Sequence, residues 1–318
     1  MHIYMAPMEG VVDFHMRKIF SSLGGIDCYV TEFIRVSQTR LPRKVFVRSC
    51  PELLSENRFL APTRIQLLGS DINLLADNAR KAAKLGSPGI DLNFGCPAKA
   101  VNRNRGGACL LDETELIHDI VHAVRKAVPA EIPVSAKIRL GFNDRDSYLA
   151  NAMAISDAGA DQLFVHARSK SDGYAPPAYW SNIGEIVKSI DIPVVANGEI
   201  WSLDDYQRCK EQSLCTDVML GRGLLARPDL ALQIKHAERS SISGDKYTVL
   251  TWPEIVNKLI EFFEATSASY PAKFMGNRLK QWLHYLQLTY PDAKRLFDTL
   301  KRLKDYDKIR ALLINELR

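Results

Sequence analysis

Residues 89–111, GIDLNFGCPAKAVNRNRGGACLL, carry the sharpest chemical signal in the chain. A β-branched, apolar run stops at Gly95-Cys96-Pro97; a polar, basic, glycine-bearing loop follows, and Asp112 then opens an amphipathic helix. A strand sends its side chains alternately to two faces, and the proline denies Cys96 a helical backbone and fixes the turn after it. A thiol at a strand tip, beside Lys99, Arg103 and Arg105, can act as a proton donor or a nucleophile. A cysteine buried in a core is the competing reading, and Cys96 alone does not separate the two.

Its neighbours along the chain do more. Pro7, Met8 and Glu9 close a first apolar run, Glu32 and Arg35 lie on a second, Gln66 on a third, and Asn93 shares the fourth with Cys96. Lys137 and Arg139 belong to a fifth and His166 and Arg168 to a sixth. A seventh ends Asn197-Gly198-Glu199 and an eighth Gly221-Arg222-Gly223. Polar groups that interrupt apolar strands are costly when unpaired. So many together imply a polar ligand.

The elements that must position this set are eight β-type runs, at 2–7, 28–36, 63–69, 89–97, 133–141, 162–169, 193–200 and 217–225. Most are continuously apolar in the middle, as parallel strands covered on both faces are. Helical patterns alternate with them, such as 71–85 and a helix opened by a capping box at 112–115. This alternation predicts an α/β fold, a (β/α)8 TIM barrel. A doubly wound sheet is the alternative, but no GxGxxG follows an early strand. The polar stretch 239–246 reads as a linker, so residues 1–242 are expected to form the barrel and 243–318 an all-helical bundle, with helices at 252–268, 272–289 and 293 onward.

In such a barrel the chemistry lies at the C-terminal ends of the strands, with a phosphate held after strands seven and eight. The glycine turns 196–198 and 221–223 fall there, and Arg222 can add a charge-assisted contact. Lys137 at mid-barrel suits a reduced, anionic flavin ring, and Gln66 offers a donor and an acceptor to a ring amide edge. FMN fits this set better than a sugar phosphate, which needs no Gln/Lys pair so deep.

Bulk properties narrow the class. The 318 residues, 46% hydrophobic and 25% charged, match an ordinary soluble globular chain with room for one large domain and a smaller one. No apolar run approaches the ~20 residues that span a bilayer, and the N-terminus does not read as a signal peptide. Six dispersed cysteines show no CxxC or Cys/His pairing, which argues for reduced thiols in a cytoplasmic protein and against a metal site. Of the net charge of +5, residues 245–318 hold +4, with 13 Lys/Arg against 9 Asp/Glu. A basic tail on a near-neutral body points to a polyanionic partner, with a solvated helical face as the alternative.

Taken together, Ala6-Pro7-Met8-Glu9-Gly10, the DLNFGCP of 91–97, Lys137-Ile138-Arg139, Val165-His166-Ala167-Arg168, Ala196-Asn197-Gly198 and Gly221-Arg222-Gly223 closely resemble the tRNA-dihydrouridine synthases, over essentially the whole chain. DLNFGCP is the most specific element. Val11 after APMEG, the CPELL from Cys50, the ANGEIW of 196–201 and Lys280-Gln281-Trp282-Leu283 resemble the bacterial branch acting at uridine 16 of the D-loop. The Asn-Arg-Asn-Arg run at 102–105 departs from the pattern by being more basic.

The resemblance implies tRNA as substrate, FMN at the barrel mouth and NADPH as electron source, with hydride delivered to C6 of a uracil and a proton from Cys96 to C5. A thiol with an ordinary pKa of ~8.5 is mostly protonated at neutral pH and suits that role. Pro7, Met8, Glu9, Gln66, Lys137, His166, Asn197, Gly198, Glu199, Gly221 and Arg222 match the flavin shell, while Asn93 and Arg139 are candidates to hold the base. Flipping a stacked uridine costs a few kcal/mol, which extra binding surface must offset. Arg278 and Lys280, on opposite shoulders of a Leu279, Leu283, Leu286 stripe, are candidates for that surface. Lys294, Arg295, Lys301, Arg302 and Lys304 add charge suited to phosphates, and Arg35, with Arg40, Arg43 and Lys44, suits RNA on the barrel side. A monomer is expected. The rival readings are an FMN barrel acting on a free pyrimidine, of the dihydroorotate-dehydrogenase type, and a tRNA-binding protein without turnover.

Overall fold

The computed structural model describes residues 1–240 and 247–317. Among the described residues nine strand segments occur: β1 (Ile3–Met5), β2 (Cys28–Val30), β3 (Ile34–Arg35), β4 (Thr63–Leu68), β5 (Ile90–Asn93), β6 (Val134–Arg139), β7 (Gln162–His166), β8 (Val194–Asn197) and β9 (Val218–Leu220). All their pairings are parallel. β1 pairs with both β2 and β9, and β2 also pairs with β4, so the sheet closes into an eight-stranded barrel. The expected run 28–36 is split: β2 and β3 both pair with β4, through Tyr29↔Thr63 and Ile34↔Leu67, with 31–33 between them.

The register explains the clustering of polar residues. Asn93 lies opposite Lys137, Arg139 opposite His166, and His166 opposite Asn197, so residues far apart in sequence share the C-terminal rim. Inside the barrel, below that rim, a small apolar plug of Tyr4, Cys28, Val30, Phe164, Val195 and Met219 fills the axis. The larger core lies between the strands and the surrounding helices.

Helices α1 (Phe14–Leu23), α2 (Arg43–Ser49), α3 (Ile72–Lys84), α4 (Lys99–Asn102), α5 (Thr114–Ala127), α6 (Tyr148–Asp157), α7 (Trp180–Ser189), α8 (Leu203–Ser213), α9 (Arg222–Ala226) and α10 (Leu230–Ser240) complete the first 240 residues. α3 starts where its cap predicts, with the Asp71 carboxylate accepting from Leu74 N. The capping box read at 112–115 does not form. α5 begins at Thr114 behind Glu113, which makes no side-chain cap. The Thr114 hydroxyl donates instead to Asn151 Oδ1, and the Glu113 carboxylate is taken by Arg105. The last run also ends early: β9 stops at Leu220, and Arg222–Ala226 is helical because the backbone turns at Gly221.

Residues 239 and 240 of the expected linker finish α10; 241–246, and with them the expected 242/243 boundary, lie outside the described residues. Beyond follow α11 (Trp252–Ser269), α12 (Asn277–Leu286), α13 (Pro291–Leu300) and α14 (Tyr306–Asn315). The helix expected from 293 onward is two, because Asp305 caps a new start by accepting from Lys308 N. Leu279, Trp282, Leu283 and Leu286 of α12 are buried with Leu259, Phe262 and Phe263 of α11. Trp282 Nε1 donates to Leu225 O, which seats this helical region on α9, beside the barrel rim.

Candidate active site at the barrel mouth

A cavity of about 630 Å3 opens at the C-terminal rim. Every residue expected around the cofactor lines it: Pro7, Met8, Glu9, Gln66, Lys137, His166, Asn197, Gly198, Glu199, Gly221 and Arg222. Cys96, Asn93 and Arg139 line it as well.

The cysteine loop is built by two asparagines. Asn93 Oδ1 accepts from Gly95 N at 3.0 Å and Cys96 N at 2.9 Å, while its Nδ2 donates to Gln66 Oε1 at 2.8 Å. Asn93 was expected to hold a base; its carbonyl oxygen is instead spent on the backbone that carries the thiol. Asn102 Nδ2 donates to Cys96 O at 3.0 Å and Ala98 O at 2.8 Å, and its Oδ1 accepts from Cys109 N. The Asn-Arg-Asn-Arg departure is therefore a folded turn whose first residue clasps Cys96. Arg139 braces the other side, with Nε on Gly95 O at 2.9 Å and Nη1 on Ser169 O and Gly173 O. Burial raises the Cys96 pKa; the Glu9 carboxylate adds to this, while the Ala98 N–H and Arg139 oppose it. The resting group is a protonated thiol.

Deeper in the mouth lies a cluster of cations. Lys137 Nζ donates to Asn197 Oδ1 at 3.0 Å, and Asn197 Nδ2 is anchored on Met219 O at 2.7 Å. Burial, reinforced by Arg139 and offset by Asp91, lowers the Lys137 pKa to about 8. Asp91 is itself buried, and burial lifts its pKa to about 6 against hydrogen bonds from Gln66 and Ser135. His166 falls well below its usual range through burial and the charges of Arg139, Lys137, Arg168 and Arg222, so it is neutral. Its Nδ1 is buried with no hydrogen-bond partner among the described residues. Glu199 sits at φ +60° and accepts from Arg168 at 2.7 Å and Arg222 at 3.4 Å, so one carboxylate serves two guanidinium groups. Gly198 has φ +114°, and a Cβ there would stand 3.3 Å from His166 Nε2.

Four expected substrate contacts lie elsewhere. Arg35 is exposed on β3. Arg278 is 14% exposed and ion-paired to Asp13. Lys280 donates to Leu303 O, and Arg295 is exposed but paired with Asp292 and Glu316. The sequence reading missed other wall residues: Tyr174, Trp201, His284 and Tyr285. The Tyr174 ring lies 5.2 Å from the Arg139 guanidinium and 4.9 Å from that of Arg222, and Arg222 also covers Trp201 at 5.0 Å. Trp201 directly follows the expected run 193–200 and is legible there. His284 and Tyr285 reach the cavity from α12, which no strand-end rule could indicate. Among the described residues no group of His, Cys, Asp and Glu could hold a metal ion.

Residues 4–315 match the family model described as dihydrouridine synthase. The chain is 49% identical over 315 residues to the tRNA-dihydrouridine(16) synthase of Pseudomonas syringae pv. tomato, covering 98% of both chains. It is 48% identical to the protein of the same name from Aquipseudomonas alcaligenes, covering 98% of this chain and 99% of that one. Among solved structures, an old yellow enzyme homologue from Zymomonas mobilis superposes with a TM-score of 0.50 at 14% identity, over 80% of this chain and 91% of that chain, a likeness of fold.

Proposed function

Since this chain belongs to the dihydrouridine synthase family, we propose that it reduces uridine 16 in the D-loop of tRNA to 5,6-dihydrouridine, with FMN in the barrel mouth and NADPH as the source of electrons. The observation that carries this reading is one cavity in which a protonated thiol faces a set of buried cations around a neutral imidazole. Lys137, Arg139, Arg168 and Arg222 gather around His166, and His166 Nδ1 is an unused polar atom, as expected of a cradle shaped for an anionic, hydrogen-bonding ligand. The side chain that Gly198 lacks leaves the approach to His166 open. These residues fit FMN.

In this reading the backbone N–H groups of Gly198, Glu199 and Gly221 and the Arg222 guanidinium hold the phosphate, while Gln66, Lys137 and His166 face the ring and Pro7, Met8 and Glu9 wall it. When bound and reduced, FMN supplies the hydride taken up at C6 of the uracil. The protein's own part is the proton. Cys96 delivers it to C5, and the thiolate left behind is reprotonated from solvent, so the uracil gains one hydride and one proton. The raised thiol pKa keeps the donor loaded at neutral pH, and Asn93, Asn102 and Arg139 keep its backbone from drifting. Lys137, held by Asn197, offsets negative charge on the ligand. The enzyme acts as a monomer in the cytoplasm; no described helix is long and apolar enough to cross a membrane.

The test is turnover of unmodified tRNA by the purified protein with NADPH, with the position of dihydrouridine mapped by sequencing. Cys96→Ala should retain the yellow cofactor and tRNA binding and lose at least about a hundredfold in product formation. Wild-type rates in that variant would remove the donor role. Reduction of free uridine as fast as tRNA would favour the free-pyrimidine reading.

A further inference from the structure

Arg278 is a candidate to offer its charge to RNA, yet its guanidinium is already engaged within the protein. Nε and Nη2 bind Asp13 Oδ2 at 3.1 and 2.9 Å. Nη1 donates to Gly10 O and to Gln281 Oε1, and Nη2 donates to Val11 O at 2.7 Å. Of the five N–H donors of a guanidinium, four are in hydrogen bonds, and Nη2 adds the ion pair to Asp13. Three of the acceptors, Asp13 Oδ2, Gly10 O and Val11 O, belong to the turn between β1 and α1. That turn carries Met8, Glu9 and Val11 into the cavity wall, while α12, which carries Arg278, brings His284 and Tyr285 to the same cavity.

The rest of the turn is tied into the same hub. Gly10 N donates to Glu32 Oε1, so the Gly10 residue is held at both its N–H and its carbonyl. Asp13 Oδ1 caps α1 by accepting from Met16 N, while Oδ2 also accepts from Tyr270 Oη at 2.7 Å, just after α11.

We propose that Arg278 is a positioning residue, a guanidinium latch that locks the 8–13 turn to α12 and so fixes the cavity wall on both sides, and that it does not contact RNA phosphate. The latch acts through Glu9 and Met8 on one side and through His284 and Tyr285 on the other. Its effect on turnover rests on the tRNA reading above; its effect on the turn does not. Lysine replaces a phosphate-binding arginine as a point charge, but it cannot reproduce a planar fork.

The experiment uses the full-length protein and the Arg278→Ala, Arg278→Lys and Asp13→Asn variants. Hydrogen exchange of the amides in residues 8–16, measured without RNA, should accelerate at least about tenfold in both Arg278 variants. Asparagine at 13 retains an acceptor for the α1 cap, so this variant keeps the variant set informative if Arg278→Ala does not fold. The double variant Arg278→Lys with Asp13→Asn should be no worse than the worse single one, as expected of partners in one unit. With tRNA, kcat should fall about tenfold, KM should stay within about twofold, and the salt slope of binding should be unchanged. Unchanged exchange overturns the latch even if the protein proves to act on another substrate. A salt slope lower by about 0.7–0.9, one phosphate contact, with rescue by lysine, overturns it in favour of RNA contact.

Discussion

The ammonium of Lys137 sits where an uncompensated charge is least welcome, and burial brings its pKa from 10.5 to about 8. Below about pH 8 both the folded and the unfolded chain hold this proton, and the folded state bears the full cost of its burial. Between about 8 and 10.5 the unfolded chain binds more protons, so the stability of the flavin-free protein rises with pH and the cost disappears above that window. Lys137→Met should therefore raise the Tm of flavin-free protein at pH 7 by a few degrees, with the advantage fading towards pH 10. The same variant should lose flavin on dialysis, because the charge that burdens the empty site would serve the filled one. An advantage that is equal at pH 7 and pH 10 would mean that the ammonium reaches solvent.

At the scale of elements, the loop from β5 to α5 shows what positions the thiol. Gly107 has φ +68°, and a Cβ there would lie 2.8 Å from Cys96 O and 3.0 Å from Cys96 Cβ. Gly107→Ala should push the cysteine backbone out of place, lowering dihydrouridine formation about ten- to a hundredfold while the flavin absorbance of the purified protein stays unchanged. Full turnover would show that the loop tolerates displacement. The strands around this loop were legible because parallel strands buried on both faces read as unbroken apolar runs, and the polar residues that break those runs proved to be neighbours across the register, as Asn93 is to Lys137. What was not legible depended on distant partners. Asp112 reads as the cap of α5, yet it closes the preceding turn and α5 starts behind Glu113, whose carboxylate is taken by Arg105. The grip of Asn93 Oδ1 on the backbone of Gly95 and Cys96 depends on how the loop folds back over it. Arg278 reads as a free cation until Asp13 meets it from 265 residues away.

Over the whole molecule, the basic excess of the C-terminal helices is smaller in effect than its count. Lys294 and Lys301 share Asp298, Arg295 is neutralised by Asp292 and Glu316, and Arg310 by Glu264. Arg302 and Lys304, in the turn between α13 and α14, are exposed and make no ion pair among the described residues. A phosphate that approaches them displaces water and counterions and breaks no existing pair. One that approaches Arg295 must compete with two carboxylates. Binding of tRNA should therefore weaken steeply between 50 and 200 mM salt, roughly in proportion to the phosphates met. Reversing the turn with Arg302→Glu and Lys304→Glu should reduce the slope of log K against log salt by about 1.5, the release of two contacts. Arg295→Ala should leave that slope within error. Filter binding across the salt series separates the cases: if Arg295→Ala moves the slope and the double reversal does not, RNA docks on the paired face of α13 and not on the turn beyond it.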